Sequence, residues 1–383
     1  MAAMELNLEI RHTLIDLPAA AWDAIVGDGC PFFEHAFLAG LEYAGCVGPG
    51  TGWLPRYVLA WRGRDLVGGL ALYRKDDSYG EFIFDWAWAE AAQRARLPYY
   101  PKMVVAAPFS PVGGRRFLLA PGEGDATREA LLSGARRAAQ DEPATGLHWL
   151  FVTAEEADFL AARGLAIRHT HQFHWQNEGY ATFDDFLGRF RSKRRNQIRR
   201  ERRQIAEQGV VVRVLCGDEI DAAAMTHAWV FYRETVDKFF YGRRYLNEAF
   251  FTWLFENFRD RLQLVLAERG GRVLGGALNV RKGEVLYGRY WGCTAEVRNL
   301  HFEVCSYAGI EAAIGDGVQR FEAGAGGGSH KYQRGFLPQV TFSAHEIYLP
   351  GLDDAVRRFL AQERAHLATE LAAAQGQLFK ADD

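Results

Sequence analysis

Two stretches of the chain alternate apolar and polar positions as a β-hairpin does, and they resemble each other closely. Residues 57–76 read YVLAWRGRDLVGGLALYRKD, and residues 264–283 read LVLAERGGRVLGGALNVRKG. Aligned without a gap at an offset of 207, they agree at nine of twenty positions. In each stretch a glycine pair, Gly68–Gly69 or Gly275–Gly276, lies inside the return strand, where it predicts a bulge or the close approach of another group. The repeat therefore predicts a duplicated domain.

The remaining pattern predicts mixed α/β structure, the α/β (α+β mixed) class, in both copies. Helical periodicity predicts helices over 34–44, 126–140, 184–208, 222–236, 246–260, 302–316 and 353–377. Strand patterns cover 148–152, 168–176, 210–215, 284–291 and 340–348. We expect one domain over 1–170, a second over 171–350, and a C-terminal helical brace over 351–383.

Composition and charge exclude several classes of protein. The 383 residues are 49% hydrophobic and 24% charged, which is the balance of a globular protein and not of a disordered one. A net charge of −3 excludes a uniformly basic nucleic-acid binder. The sequence has neither a run of about 18 apolar residues nor a signal-peptide pattern. Five cysteines without a CxxC spacing favour reduced thiols in a cytoplasmic protein.

The charge is distributed unevenly, because residues 189–203 hold nine Lys or Arg residues and one acidic residue, Glu201. This segment carries +8 and the remainder of the chain −11. Like charges on one helix cost stability, and phosphate groups from RNA, a nucleotide diphosphate or coenzyme A would offset that cost. The alternative is a solvated face neutralised by acidic neighbours, Glu178, Asp184 and Asp185. The candidate donor-phosphate residues are Lys193, Arg194, Arg195, Arg199 and Arg202.

A second candidate site is the glycine-rich segment 322–336, which reads EAGAGGGSHKYQRGF. Glycine-rich loops let backbone amides approach phosphate or carbonyl oxygens closely. The segment has neither a P-loop nor a dinucleotide fingerprint, and a flexible surface turn is the alternative. Its basic tail favours a site, because Lys331 would stabilise an oxyanion or hold a phosphate. His330 would act as a general base near neutral pH.

Charged residues also lie within and after two aromatic stretches, 78–88 and 287–291, that follow the two copies of the repeat. Aromatic side chains most often form a core or a wall, but charges among them need partners. These charged candidates are Asp85, Lys102, Arg289, His301 and Glu303. Of three alternating histidines, His169, His171 and His174, only two share a strand face, so we predict no metal site. A covalent hydrolase is disfavoured because the chain has no Gly-x-Ser-x-Gly elbow.

Short segments between about residues 32 and 365 form a set: Phe32–Leu38, Ser78–Glu81, Phe84–Trp86, Tyr99–Lys102, Pro108–Val112, Phe173–Trp175, the arginine-rich helix ending Glu201–Arg203, Gly288–Gly292, Leu300–Glu303, His330–Lys331 and Arg334–Phe336. As a set, these segments resemble the Fem-type, FemAB-like branch of the GNAT acyltransferase superfamily. The resemblance implies tandem GNAT-like domains, each with a mixed, mainly antiparallel central sheet flanked by helices. It also implies transfer of an acyl or aminoacyl group to an amine, with Lys331 at the position of a lysine that lies by the reacting centre in Fem-type relatives.

The resemblance also bears on the donor. Fem-type relatives use aminoacyl-tRNA as donor and a cell-wall precursor as acceptor. Ordinary GNAT enzymes bind the coenzyme A pyrophosphate with an Arg/Gln-x-x-Gly-x-Gly/Ala turn after the central strand, and no such turn follows Phe82–Trp86 or Tyr287–Trp291. The arginine-rich helix is then the best candidate for binding a tRNA 3′ end. The loop departs from the family at Gly326–Ser329, where it is longer and lacks an acidic residue before His330.

The sequence thus leads to the hypothesis of a cytoplasmic, amide-forming transferase with no tightly bound cofactor. Its donor would be aminoacyl-tRNA or acyl-CoA, and its acceptor a small amine or a cell-wall precursor. The catalytic candidates are Lys331, His330, Arg334, His301 and Glu303. The acceptor-binding candidates are Tyr79, Asp85, Trp86, Tyr100, Lys102, Arg289, Tyr290 and Trp291. Two alternatives stay open: an acyl-CoA- or acyl-carrier-dependent N-acyltransferase, and a non-catalytic RNA- or precursor-binding protein.

Overall fold

The computed structural model describes residues 5–238, 243–326, 328–374 and 378–379. Gly327 of the glycine-rich segment, and residues 375–377 and 380–383 of the predicted brace, lie outside the described residues. The chain divides into two compact units. The first comprises Met1–Thr170 and Val340–Ala368, and the second comprises His171–Gln339 and Thr369–Asp383. Residues 340–350 thus belong to the first unit, whereas the sequence analysis placed them in the second domain.

Helices and strands alternate along the described chain, which confirms the mixed α/β class. The strands are β1 (Leu6–Arg11), β2 (Leu54–Pro55), β3 (Tyr57–Arg62), β4 (Asp65–Leu70), β5 (Leu72–Lys75), β6 (Lys102–Val105), β7 (Leu118–Leu119), β8 (Gly146–Val152), β9 (Ala166–Gln176), β10 (Val211–Cys216), β11 (Leu262–Arg269), β12 (Arg272–Lys282), β13 (Val285–Cys293), β14 (Arg320–Glu322) and β15 (Leu337–Ile347). The helices are α1 (Ala19–Val26), α2 (His35–Tyr43), α3 (Trp86–Arg94), α4 (Asp125–Asp141), α5 (Ala154–Ala161), α6 (Phe183–Arg189), α7 (Ser192–Glu207), α8 (Ala222–Asp237), α9 (Glu248–Asn257), α10 (Leu300–Phe302), α11 (Ala308–Gly315), α12 (Ser329–Tyr332) and α13 (Pro350–Ala374). A π-helical turn, Glu303–Tyr307, joins α10 to α11. Outside the repeat and the helix 184–208, the predicted elements are confirmed to within three residues.

Each unit has mainly antiparallel strands. In the first unit the strands pair in the order β1–β3–β4–β7 and in a second set, β15–β8–β6–β5–β2. In the second unit the order is β10–β11–β12–β13–β14–β9. Each unit contains a parallel pair among its described strands, β6 with β8 and β13 with β14. These two parallel pairs occupy corresponding places in the two units.

The predicted duplication is confirmed by the strand register. In the hairpin β3–β4, Ala60 pairs with Gly68, and the ladder shifts register directly after Ala60. In the hairpin β11–β12, Ala267 pairs with Gly275, and the ladder shifts directly after Ala267. Both pairs and both bulges are related by the offset of 207 found in the sequence. The return strand of the first copy is interrupted at Ala71, which separates β4 from β5.

The glycine pairs allow a helix to lie directly against each hairpin. A Cβ atom on Gly69 would come within 3.0 Å of the Trp22 ring on α1. A Cβ atom on Gly276 would come within 2.9 Å of the Phe231 ring on α8 and would overlap the carbonyl oxygen of Val265. The close approach expected from a glycine pair inside a strand is therefore found in both units.

The predicted continuous helix over 184–208 is wrong, because the chain breaks between α6 and α7. Phe190 and Arg191 have extended backbone, with ψ angles of 149° and 147°. The break turns the Phe190 side chain into the core of the second unit, where it packs against Phe186. Packing of this one aromatic side chain overrides the helical periodicity on either side of it.

Candidate functional site

A parallel strand pair in the second unit ends beside a bulge and a tight glycine contact. β13 and β14 pair over three residues only, ending where Tyr287 lies opposite Glu322. Directly beyond, a Cβ atom on Gly324 would lie 2.9 Å from the carbonyl oxygen of Gly288, so the two backbones touch. β13 continues with a register shift at Arg289, whereas the chain after β14 forms the glycine-rich segment and α12. The end of the parallel pair is therefore flanked by the bulge on one side and α12 on the other.

Lys331 lies on α12 and reaches back to this glycine contact. Its Nζ donates a hydrogen bond of 2.8 Å to the carbonyl oxygen of Gly324. Burial lowers the pKa of Lys331 to about 8, and the nearby Cys305 opposes that shift only in part. Its side chain is therefore mostly charged at neutral pH but titrates close to it, which is the condition expected of an acid–base or electrostatic group at a reaction site.

Three rings form a row next to Lys331. The rings of Trp291 and His301 are 4.4 Å apart, and those of His301 and His330 are 5.6 Å apart. Burial, together with electrostatic interactions with His330, Arg334 and Lys331, lowers the pKa of His301 to about 4. Burial and the charges of Lys331 and Arg334 also lower the pKa of His330. Both imidazoles are therefore neutral near pH 7 and can accept a proton.

Arg334 is held from inside the unit. It is 3% exposed, and its Nη2 donates to both carboxylate oxygens of Glu201, at 3.1 and 3.0 Å. Its Nη1 donates to the carbonyl oxygen of His330 at 2.9 Å, and its guanidinium lies 3.2 Å from the centre of the Phe302 ring. The hydroxyl of Tyr307 also donates to Glu201. Arg334 thus connects α12 to α7, whereas the sequence analysis assigned it to the oxyanion.

Glu303 is connected to the same basic helix. Its carboxylate is 4% exposed and forms an ion pair of 3.1 Å with Arg202. Arg202 also contacts Glu311 at 2.6 Å. Burial raises the pKa of Glu303, although Arg202 opposes that effect. The structure therefore brings together one candidate catalytic carboxylate and one candidate phosphate-binding arginine, as partners of each other.

The other predicted phosphate-binding residues on α7 face outward to different degrees. Arg199 forms an exposed ion pair of 2.8 Å with Asp184. Arg194 donates to Gln197 at 2.9 Å and to Gln333 at 3.3 Å. The Arg195 Nη2 lies 3.4 Å from the Ser192 hydroxyl. Lys193 is exposed, and no ion pair of Lys193 is found within the described part of the chain. Neutralisation by acidic neighbours therefore accounts for some of this surface but not for all of it.

Five predicted acceptor-binding residues lie in the first unit, where Lys102 and Asp85 are buried in a charge cluster. Lys102 Nζ donates to Ser78 at 2.8 Å and to Glu81 at 2.9 Å, and it contacts Asp85. The hydroxyl of Tyr99 donates to Asp85 at 2.7 Å. Burial raises the pKa of Glu81 to about 7 against the opposing charge of Lys102. Lys102 and Asp85 satisfy each other inside the fold, so they support the surface around them.

The other three residues of this group form that surface. Tyr79 and Trp86 are 43% and 41% exposed, with their ring centres 5.0 Å apart. The Tyr100 hydroxyl shares a 2.8 Å hydrogen bond with Ser78. An exposed Tyr–Trp pair presents an apolar face with polar edges, which is typical of binding surfaces.

The remaining predicted acceptor residues lie on β13 in the second unit. Arg289, the bulge residue, donates from Nη2 to the Tyr290 hydroxyl at 3.2 Å. Tyr290 packs edge-on against Tyr232 with ring centres 4.8 Å apart. Of these three residues, Trp291 is the one in ring contact with His301.

Two further groups lie near Lys331: Cys305, which is partly buried and which the sequence did not single out, and His174, which the sequence singled out only as one of three alternating histidines. Cys305 lies on the π-helical turn, and burial raises the pKa of its thiol. His174 on β9 is opposite Glu322, and burial together with Arg320 and Lys331 lowers its pKa to about 3. No local sequence signal distinguishes Cys305 from an ordinary core thiol. Among the described residues, no group of three or more His, Cys, Asp or Glu side chains is arranged to hold a metal ion.

Comparisons with known proteins agree with this architecture. The structure is similar to the crystal structure of FemX, with 12% identity and a TM-score of 0.51 over 82% of this chain and 93% of that chain. It is similar to a conserved protein of unknown function from Bacteroides thetaiotaomicron, with 11% identity and a TM-score of 0.52 over 88% of this chain and 99% of that one. It is also similar to L-PGS from Bacillus licheniformis, with 10% identity and a TM-score of 0.50 over 84% of this chain and 95% of that one. At these identities the likeness establishes the fold alone.

Three further findings complete this description. No curated protein matches the chain. Across the described residues, every helix is too short or too polar to cross a membrane. The model of one family, FemAB-like, described as peptidoglycan biosynthesis/recognition, matches residues 13–380. Because that match spans nearly the whole sequence, the chain belongs to the FemAB-like family.

Proposed function

We propose that the protein is an acyl or aminoacyl transferase that forms an amide bond on an amine acceptor, with Lys331 at the reacting centre. The observation that carries this proposal is the placement of Lys331, a partly buried amine with a pKa of about 8, at the end of the parallel pair β13–β14. The FemAB-like family and the fold shared with FemX support a transfer reaction in preference to a purely structural role.

The reaction would proceed through a tetrahedral intermediate. The acceptor amine attacks the acyl carbonyl of the donor, and the charged Lys331 stabilises the oxygen that becomes negative. His330 or the neighbouring His301, both neutral, takes the proton that the amine loses. Collapse of the intermediate forms the amide, breaks the donor ester or thioester, and returns the proton to the leaving oxygen or sulfur. The donor is a co-substrate, so no tightly bound cofactor is needed.

The donor we favour is aminoacyl-tRNA, with phosphates near its 3′ end held by α7. Lys193, Arg194 and Arg195 would make the outward contacts. Arg199 would exchange its exposed partner Asp184 for a phosphate. Arg202 would support this phosphate-binding surface through its ion pair with the buried Glu303. Because Glu201 on α7 binds Arg334 beside α12, the helix that would hold the donor is connected directly to the Lys331 turn. Use of charged tRNA would place the reaction in the cytoplasm.

The acceptor we propose is a small amine or a cell-wall precursor. Tyr79, Trp86 and Tyr100 would form a recognition surface in the first unit, supported by the buried pair of Lys102 and Asp85. In the second unit, Arg289, Tyr290 and Trp291 would line the bulge beside the reacting centre. The family description, peptidoglycan biosynthesis/recognition, supports a precursor as acceptor.

An acyl-CoA donor is the second candidate, and one observation favours it. Arg199 and Arg202 already have carboxylate partners, so the basic surface is smaller than the sequence count suggests. A compact diphosphate needs fewer cations than a tRNA backbone. The two donors therefore have to be compared in one experiment.

The test incubates the purified protein with charged tRNA pools and, separately, with acyl-CoA mixtures, each with a panel of amines, and detects new amides by mass spectrometry. We expect product from charged tRNA, and a loss of about 10²–10³-fold in kcat for Lys331→Ala, as for removal of an oxyanion donor. Lys282→Ala, at the end of β12, is the matched control and should keep full turnover. Product from acyl-CoA alone would overturn the donor assignment. Full turnover by Lys331→Ala would remove Lys331 from the mechanism.

A further inference from the structure

The strand registers of the two units identify which residues correspond. The offset of 207 that relates the hairpins extends into β5, so Leu72 corresponds to Asn279. Leu72 pairs with Val105 on β6, and Asn279 pairs with Gly288 on β13. Val105 is therefore the first unit's counterpart of Gly288, the residue next to the bulge at the candidate reacting centre.

The strand that follows differs between the units. Gly68 pairs with Leu119 on β7, and Gly275 pairs with Cys293 at the end of β13. The four residues 289–292 of the second unit thus correspond to the thirteen residues 106–118 of the first. The first unit therefore carries a nine-residue insertion where the second unit has its bulge.

The strands β8 and β14, which pair in parallel with β6 and β13, identify the residue that takes the place of Lys331 in the first unit. Val104 pairs with His148, and the corresponding Tyr287 pairs with Glu322. Two residues further on, Leu150 on β8 corresponds to Gly324. The carbonyl oxygen of Gly324 accepts the hydrogen bond of Lys331. The carbonyl oxygen of Leu150 accepts a hydrogen bond of 2.7 Å from Nε of Arg116, a residue of the inserted segment.

Arg116 fills this position completely. Its exposure is 0%, its Nη1 donates to the carbonyl oxygen of Gly114 at 2.9 Å, and its Nη2 donates to that of Val112 at 2.6 Å. Its guanidinium lies 4.9 Å from the centre of the Phe33 ring. Each guanidinium nitrogen is thus used by a backbone carbonyl, whereas Lys331 is only partly buried.

We propose that Arg116 closes the first unit's counterpart of the Lys331 position, so that the chain has one transfer centre, in its second unit, and not two. That this centre carries out a transfer reaction rests on the function proposed above, whereas the filling of the position by Arg116 is independent of that function. A guanidinium keeps its charge at every accessible pH, and this one is committed to carbonyl groups of its own unit. It therefore cannot exchange protons with a substrate or turn to a developing oxyanion.

The first test measures how accessible the arginine side chains are in the native full chain. Phenylglyoxal labelling followed by peptide mass spectrometry compares Arg116 with its neighbour Arg115, whose side chain is 49% exposed. We expect Arg115 to react and Arg116 to be protected at least about tenfold until the chain unfolds, because only open conformations expose it. Similar labelling rates at the two sites would overturn the closure.

The second test removes the Arg116 side chain. Arg116→Ala should lower the thermal midpoint by roughly 5 °C or more, because it empties a fully buried position and leaves backbone carbonyls without donors. Added methylguanidinium should recover part of that loss, whereas methylammonium should not. Arg115→Ala, the matched control, should change little and should show no recovery. An unchanged midpoint for Arg116→Ala would overturn the proposal, and labelling of the native chain decides the matter if that variant does not fold.

The two proposals fail in different ways. Protection of Arg116 together with a loss of about 10²–10³-fold in kcat for Lys331→Ala supports a single centre. Protection of Arg116 with full turnover by Lys331→Ala would refute the proposed function and leave the closure intact. Ready labelling of Arg116 would refute the closure, whatever the turnover of Lys331→Ala.

Discussion

The pH dependence of turnover tests the role of Lys331 most directly. Burial lowers its pKa from 10.5 to about 8. About nine-tenths of the side chains are then charged at pH 7 and about one-tenth at pH 9. If the ammonium stabilises the oxyanion, kcat should fall through pH 8 and approach a tenfold loss for each further pH unit. A buried lysine acting as the base would instead make kcat rise through the same pH.

The assay combines kinetics with a direct titration. Single-turnover rates from pH 6 to 10 give the kinetic profile, and ¹³C reductive methylation followed by NMR gives the titration of the Lys331 amine. Lys331→Arg is the matched variant, because guanidinium keeps its charge across this range. We expect that variant to be slower but to lose the fall near pH 8. A rate that rises through pH 8 would refute the oxyanion role, and an amine that titrates near 10.5 would refute the effect of burial.

The same pKa makes a prediction about stability, with a defined sign. Between pH 8 and 10.5 the folded chain binds fewer protons at Lys331 than the unfolded chain does, so stability rises with pH across that window. Below pH 8 the buried charge costs up to about 3 kcal/mol. Lys331→Met removes this cost and loses one hydrogen bond worth about 1 kcal/mol, so the variant should gain about 2 kcal/mol in urea unfolding at pH 7 while losing turnover. A destabilised Lys331→Met would contradict the cost assigned to the buried ammonium, and Lys282→Met should stay within about 0.5 kcal/mol of the parent.

Three further predictions concern the Glu201–Arg334 ion pair, the glycine pairs and the basic helix. Glu201→Ala leaves the buried Arg334 without its carboxylate and should cost about 3–5 kcal/mol in urea unfolding; a cost below about 1 kcal/mol would show that the pair is not needed. Gly276→Ala should lower the thermal midpoint more than Gly69→Ala, because its Cβ would overlap a backbone oxygen and the other would meet only side chains that can shift; equal losses would contradict this reading. Lys193→Ala should lower the slope of log Kd for tRNA against log salt by about 0.7–0.9, one phosphate contact, in filter-binding titrations, and an unchanged slope would remove Lys193 from the donor site.

The repeat was readable from the sequence because a hairpin is a local structure. Strand, turn and return strand lie within twenty residues, so nine identities were enough to predict two hairpins, and the glycine pairs predicted a bulge or the close approach of another group. The structure adds that both hairpins have the same register and bulge. The interruption at Ala71 was not predicted, because it depends on how β5 pairs with β6, a strand that begins only at Lys102.

The candidate sites were harder to predict, because burial and ion pairing depend on contacts between distant residues. Asp85 and Lys102 were singled out as charges that need partners. In the structure they contact each other, Lys102 also donates to Ser78 and Glu81, and Asp85 also accepts from Tyr99. The sequence does not distinguish Arg116, since an isolated arginine carries no pattern, and the role proposed for it depends on the strand registers in both units. The break at Phe190 was hidden by an apolar periodicity that continues on both sides of it.

The one acidic residue of the basic segment 189–203, Glu201, has a different structural role from the cations around it. Glu201 lies on the buried face of α7 between Ile198 and Ile205, which are three and four residues away and therefore on the same side of the helix. A carboxylate in that place has to be paired, and Arg334 supplies the partner from beside α12. Under the proposed function, the outward cations would bind donor phosphates while the inward carboxylate holds Arg334 beside the Lys331 turn. Because both tasks would fall to one helix under the proposed function, we expect occupation of its outer face to affect the placement of Lys331 through the Glu201–Arg334 pair.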